Sequence, residues 1–113
     1  MSREKSNIET DWQLFKRHIP KWREHYLAIK NKEIVSILTD ENKTPTEQFW
    51  NAKDKIFKIS KILCDCFDDL SRSEMIYKLL YMYNYGVISK DNLVEFSDEL
   101  KEKLYTMLNI KEN

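Results

Sequence analysis

Residues 44–70 read TPTEQFWNAKDKIFKISKILCDCFDDL. The stretch opens on a helix start. Thr44 can accept from the third backbone amide beyond it, Pro45 suits the first helical position, and Glu47 can reach back to the amide of Thr44. From there Phe49, Ile56, Leu63 and Leu70 recur every seven residues. Ala52, Ile59 and Cys66 fill the alternate seam positions, and Trp50, Phe57 and Cys64 widen the face on one side. Three parallel apolar rows exceed what one partner helix covers. The spacing therefore predicts a long central helix over about residues 45–70, touched by several others.

The same period runs through the preceding segment. Ile8, Trp12, Phe15, Ile19, Trp22, Tyr26 and Ile29 alternate spacings of four and three, which is one stripe on a helix. Pro20 falls inside it, where a proline removes a backbone hydrogen bond and crowds the preceding turn. Because the stripe keeps its register, a kink or two helices nearly in line are expected. Ile34, Val35, Ile37 and Leu38 extend the helix, and TDENK (39–43) reads as a polar loop. Downstream, Ser71 and Glu74 form a second capping-box pattern ahead of Met75, Ile76, Leu79, Leu80, Met82 and Tyr83. Gly86 stands where a helix ends on a left-handed residue, with Val87 and Ile88 placed to pack back. Ser89 is expected to cap the last helix, whose apolar face is Leu93, Phe96, Leu100, Leu104, Met107 and Leu108.

Composition agrees. The 113 residues contain one Gly and two Pro, far too few for a protein built on hairpin turns. The expectation is an all-α single domain over 1–113, a compact four- to five-helix array, with ends frayed at about 1–7 and 109–113. No apolar run has the length of a membrane span, and the N-terminus lacks the apolar core of a secretory signal. Cys64 and Cys66, two residues apart on a helix, cannot bridge each other locally, so buried thiols in a reducing, cytoplasmic compartment are expected. Richness in Lys, Ile and Asn points to an AT-rich bacterial or phage genome.

The chemistry-bearing residues form no catalytic or ligand motif. One glycine cannot build a phosphate loop. His18 and His25 lie two helical turns apart, too far to share a metal. Asp65, Asp68 and Asp69 cluster at the end of the central helix without a convergent set of further oxygens. No enzyme activity, cofactor or metal is expected. Charge is more telling. Residues 1–61 hold thirteen Lys/Arg against nine Asp/Glu, net +4, and residues 62–113 hold six against ten, net −4. Lys16, Arg17, Lys21 and Arg23 form a candidate basic surface, beside Trp12 and Trp22 on the apolar stripe. Tyr77, Tyr81 and Tyr85 make a stair at helical spacing, a candidate interface. The expected function is a non-enzymatic protein-interaction or regulatory module, binding another protein or itself as a homodimer. The alternative is a nucleic-acid-associated accessory protein using the basic N-terminal half.

Overall fold

The computed structural model describes residues 3–109, with side chains from residue 7 onward. Four α-helices and one 3-10 helix follow in order: α1 (Arg3–Leu38), α2 (Pro45–Phe67), α3 (Met75–Asn84), a 3-10 turn (Lys90–Leu93) and α4 (Asp98–Leu108). Among the described residues there is no strand, and the all-α class holds.

α1 and α2 form an antiparallel hairpin. α1 passes through Pro20 as one continuous helix of 36 residues, and exposed Pro20 leaves the carbonyl it cannot pair to the solvent side. α1, not α2, is thus the longest element. At its start Asn7 Nδ2 donates to Glu99 Oε1 at 3.0 Å, so helical order reaches into the segment expected to fray. Residues 1–2 and 110–113, the rest of the expected frayed ends, lie outside the described residues.

α2 starts as its sequence dictates. The Glu47 amide donates to Thr44 Oγ1 at 3.1 Å, and the Thr44 amide donates to Glu47 Oε1 at 3.0 Å. It ends at Phe67, three residues short of the expected limit, because Asp68 turns extended and Asp69 is left-handed at φ 55°. The second capping box is only half made. Ser71 Oγ accepts from the Glu74 amide at 3.3 Å, but residues 71–74 wind as a tighter turn and α3 begins at Met75. Gly86, at φ 77°, ends α3. The Val87 amide reaches Met82 O at 2.8 Å and the Gly86 amide reaches Tyr83 O at 3.2 Å, the two bonds of a Schellman cap. Val87 and Ile88 are buried behind it. Ser89 caps only the 3-10 turn, in a box with Asn92. The cap of α4 is Ser97, whose hydroxyl accepts from the Leu100 amide at 3.2 Å.

The core is confined to one end of the hairpin. Trp12, Phe15, Ile19, Trp22 and Tyr26 of α1 pack with Ile59 and Cys66 of α2, and with Leu79, Met82, Leu93, Phe96 and Leu104 from the C-terminal elements. Beyond Tyr26 on α1 and before Ile59 on α2, only Ala52 is fully buried. There the two helices run on as an arm, joined by Lys55 Nζ to Glu33 Oε1 at 2.7 Å. The molecule measures 63 × 29 × 18 Å with a radius of gyration of 17.4 Å, well above the roughly 13 Å of a compact chain of this size. The expected compact array is in fact an elongated one, because α3 and α4 are too short to cover the hairpin.

Candidate functional site

The arm leaves one face of the hairpin uncovered. α4 and the turn before it attach to α1 through Asn7, Asp11 and His18, one stripe on that helix. At about 100° per residue, Leu27, Ile34 and Leu38 lie roughly opposite that stripe. On α2, α3 attaches at Asp65, which accepts from Tyr85 Oη at 3.0 Å and whose carbonyl takes Lys78 Nζ at 2.9 Å. Phe49 and Ile56 lie roughly opposite Asp65 by the same geometry. The C-terminal elements therefore sit on one side of the hairpin, and the apolar face of the arm looks the other way.

That face is exposed to a degree unusual for its residue types. Phe49 is 58 %, Trp50 51 %, Ile56 50 % and Phe57 61 % accessible. Leu38 of α1 is exposed on this face as well. Phe49 and Trp50 meet edge to face with centroids 5.1 Å apart. Lys53 Nζ lies 5.0 Å over the Trp50 ring and Lys61 Nζ 5.5 Å over Phe57. These contacts hold the rings in place without covering them. The expectation that α2 is surrounded holds for its C-terminal half alone. Phe49, Trp50, Ile56 and Phe57 read as core by periodicity, and the lysines set among them were the available sign of a solvent-facing surface.

The other residues singled out by sequence are dispersed. Tyr77, Tyr81 and Tyr85 are exposed along α3, and Tyr85 is tied to Asp65. That bond and the Asp65 charge push the Tyr85 hydroxyl above its ordinary range. Lys16 and Arg23 share one side of α1 while Arg17 and Lys21 share another. Lys16 lies over Trp12, and Arg23 pairs with Glu24 at 3.6 Å. Trp12 and Trp22 are buried, so no aromatic platform accompanies this basic set.

A buried polar cluster lies where α1 meets the start of α4. Asp11 is 3 % accessible and accepts from the Ser97 amide at 2.9 Å and the Ser97 hydroxyl at 2.6 Å. Nearby His18 stacks on Trp22 and its Nε2 meets Glu95 Oε1 at 3.0 Å. A nucleophilic serine needs its proton directed at a base; Ser97 gives its proton to Asp11 and accepts from Leu100. The cluster docks two helices. Cys66 is fully buried, and burial, with the Asp65 charge, pushes its thiol up to about 12. Cys64 is exposed, and its bond to Asp68 raises it as well. Among the described residues, no three His, Cys, Asp or Glu side chains gather as metal ligands, and no helix is long and apolar enough to cross a membrane. The fold and surface describe a small all-α protein with a projecting two-helix arm. The chain matches no protein-family model, no curated protein and no solved structure.

Proposed function

We propose that the protein is a non-enzymatic interaction module that docks through the uncovered apolar face of its α1–α2 arm. One observation carries this reading: four large apolar side chains, each at least half accessible, stand together on α2. Soluble proteins rarely leave such a patch without a partner. Aromatic residues framed by lysine stems are also the composition of an interface core with a polar rim. The free cysteines suit a reducing, cytoplasmic setting.

The test compares the tagged chain with a Phe49→Ser/Phe57→Ser variant in nuclease-treated extract of the native cell. The wild type elutes in an assembly larger than its own mass, and the variant, equally folded by circular dichroism, elutes as the free chain. Identical elution of the two would overturn the reading. The nucleic-acid alternative now rests on α2 rather than on α1, because Lys53 and Lys61 stand over exposed rings. It requires binding to a single-stranded oligonucleotide that weakens steeply between about 50 and 200 mM salt.

A further inference from the structure

The chemistry of the partner can be specified, given the reading of the arm face as a docking surface. We infer that the occupant is one amphipathic α-helix of another protein, apolar along the side laid into the arm and acidic along the edge that meets Lys53 and Lys61.

Shape asks for a helix. Leu27, Ile34 and Leu38 of α1 form one wall of the face, and Phe49, Ile56 and Leu63 of α2 form the other. The α2 wall repeats every seven residues, as does the step from Leu27 to Ile34. Two antiparallel rows at that repeat leave a lengthwise groove, and a third helix with apolar residues at heptad spacing seats its side chains between them. At about 1.5 Å per residue the walls run roughly 16–21 Å, or about three to four turns. Leu38, Phe49 and Ile56 are exposed while Leu27, Ile34 and Leu63 are half-buried, so the groove is most open toward the tip of the arm. Strand addition needs a sheet edge, and the described residues contain no strand.

Charge selects an acidic partner. The arm as a whole is nearly neutral, with six Lys against five Asp/Glu over residues 27–58, but the signs are sorted by side. Glu47 and Asp54 lie 18 and 11 residues from Asp65, which puts both within about 20° of it around α2, on the side that carries α3. Glu33 lies 22 residues from Asp11, within about 40° of the side of α1 that carries α4. None of these helical acids is on the apolar face. Lys53 is, midway around α2 between Phe49 and Phe57, and Lys61 stands at its margin beside Trp50 and Phe57. Both ammonium groups lie over aromatic rings, and among the described residues neither forms an ion pair. Carboxylates on the flank of the docked helix complete them at the polar rim. An anionic lipid surface would meet the arm as a whole, and a net charge of +1, six minus five, attracts it weakly.

Selection of a phage-displayed library of random peptides, each about 16 residues or four to five turns long, on the full chain tests this. The enriched peptides carry apolar residues at spacings of three and four with Asp or Glu beside them, and the best of them becomes helical on binding by circular dichroism. Fluorescence anisotropy then reads its affinity. Leu38→Ser and Ile56→Ser, one from each wall and both at exposed positions, each weaken it about tenfold. Lys53→Glu/Lys61→Glu weakens it comparably, and the same peptide with its acids changed to lysine recovers binding to that variant. Enriched peptides without helical spacing, or flanked by bases, overturn the inference, as does binding indifferent to Leu38→Ser or to the charge swap. Cosedimentation with phosphatidylglycerol vesicles that Ile56→Ser abolishes, with no helical peptide enriched, overturns it in favour of a lipid surface. An extract assembly that still depends on Phe49 and Phe57, with no helical peptide enriched, sinks the helical occupant and leaves the docking surface standing.

Discussion

Replacing Asp11 tests how the short C-terminal elements are fastened to the hairpin. Its carboxylate is buried at 3 % accessibility and binds both polar hydrogens of Ser97, 86 residues away, at 2.9 and 2.6 Å. Hydrogen bonds to a charged group are each worth about 1.5–3 kcal/mol net. Asp11→Ala removes two, and the recovered cost of burying the carboxylate offsets part of that loss. About 2–4 kcal/mol of destabilisation should remain. Asp11→Asn keeps an acceptor for the Ser97 amide but turns an amide toward a hydroxyl that already accepts from Leu100, which should cost about half as much. Ser97→Ala loses the cap of α4, about 1 kcal/mol, and leaves Asp11 half-satisfied. Urea unfolding followed by circular dichroism gives each value from the midpoint at constant slope. The double-mutant cycle between Asp11 and Ser97 should show at least about 1 kcal/mol of coupling. An Asp11→Ala chain within about 0.5 kcal/mol of wild type would mean that Asp11 does not fasten α4 to α1, since a buried anchor of this kind is not lost so cheaply.

Gly86 sits at φ 77° with nothing within 4 Å of an added Cβ, so substitutions there test backbone strain alone. Gly86→Ala should cost about 1 kcal/mol and Gly86→Val about 2 kcal/mol, with Asn tolerated better than either; equal melting temperatures for all three would contradict this. Thiol titration of the native protein near pH 8 should find one reactive cysteine per chain, exposed Cys64, while Cys66, held at about 12 by burial, reacts only after unfolding. Two fast thiols would mean that Cys66 is not packed as described. Glu9 is held at about 2, against an ordinary 4.5, chiefly by its bond to Arg72 and then by Gln13. Its folded value is depressed, so its contribution is full above about pH 4.5 and is lost as pH falls toward about 2. Glu9→Gln should flatten the acid limb of the melting temperature over that window, and an unchanged limb would show that the Arg72–Glu9 pair does not couple to folding.

Local rules carried as far as local forces did. Thr44 and Glu47 form their box because both partners lie within one turn, and Gly86 ends α3 because only neighbouring carbonyls are involved. Ser89 follows the same local rule and does cap a helix, but a short 3-10 one. The start of α4 is set instead by Asp11 holding the Ser97 amide and hydroxyl from another element. No pattern within residues 89–100 encodes that bond. The candidate surface was legible in part. The rows through Phe49, Trp50, Ile56 and Phe57 were visible, and so was their excess breadth. Periodicity marks a face as apolar without saying whether anything covers it. Coverage depends on the reach of α3 and α4, which stop short of the arm.

The proposed docking requires that the arm face, rather than the tyrosine stair, meet the partner. Hydroxyl-radical footprinting with mass spectrometry reads both surfaces in one experiment, because Trp50, Tyr77 and Tyr81 are all about half accessible in the free chain. It compares the assembled wild type with the folded, free Phe57→Asp chain. Phe49 and Trp50 should be protected several-fold in the assembly while Tyr77 and Tyr81 label equally in both. Protection of the tyrosines with Phe49 and Trp50 still fully reactive would contradict it.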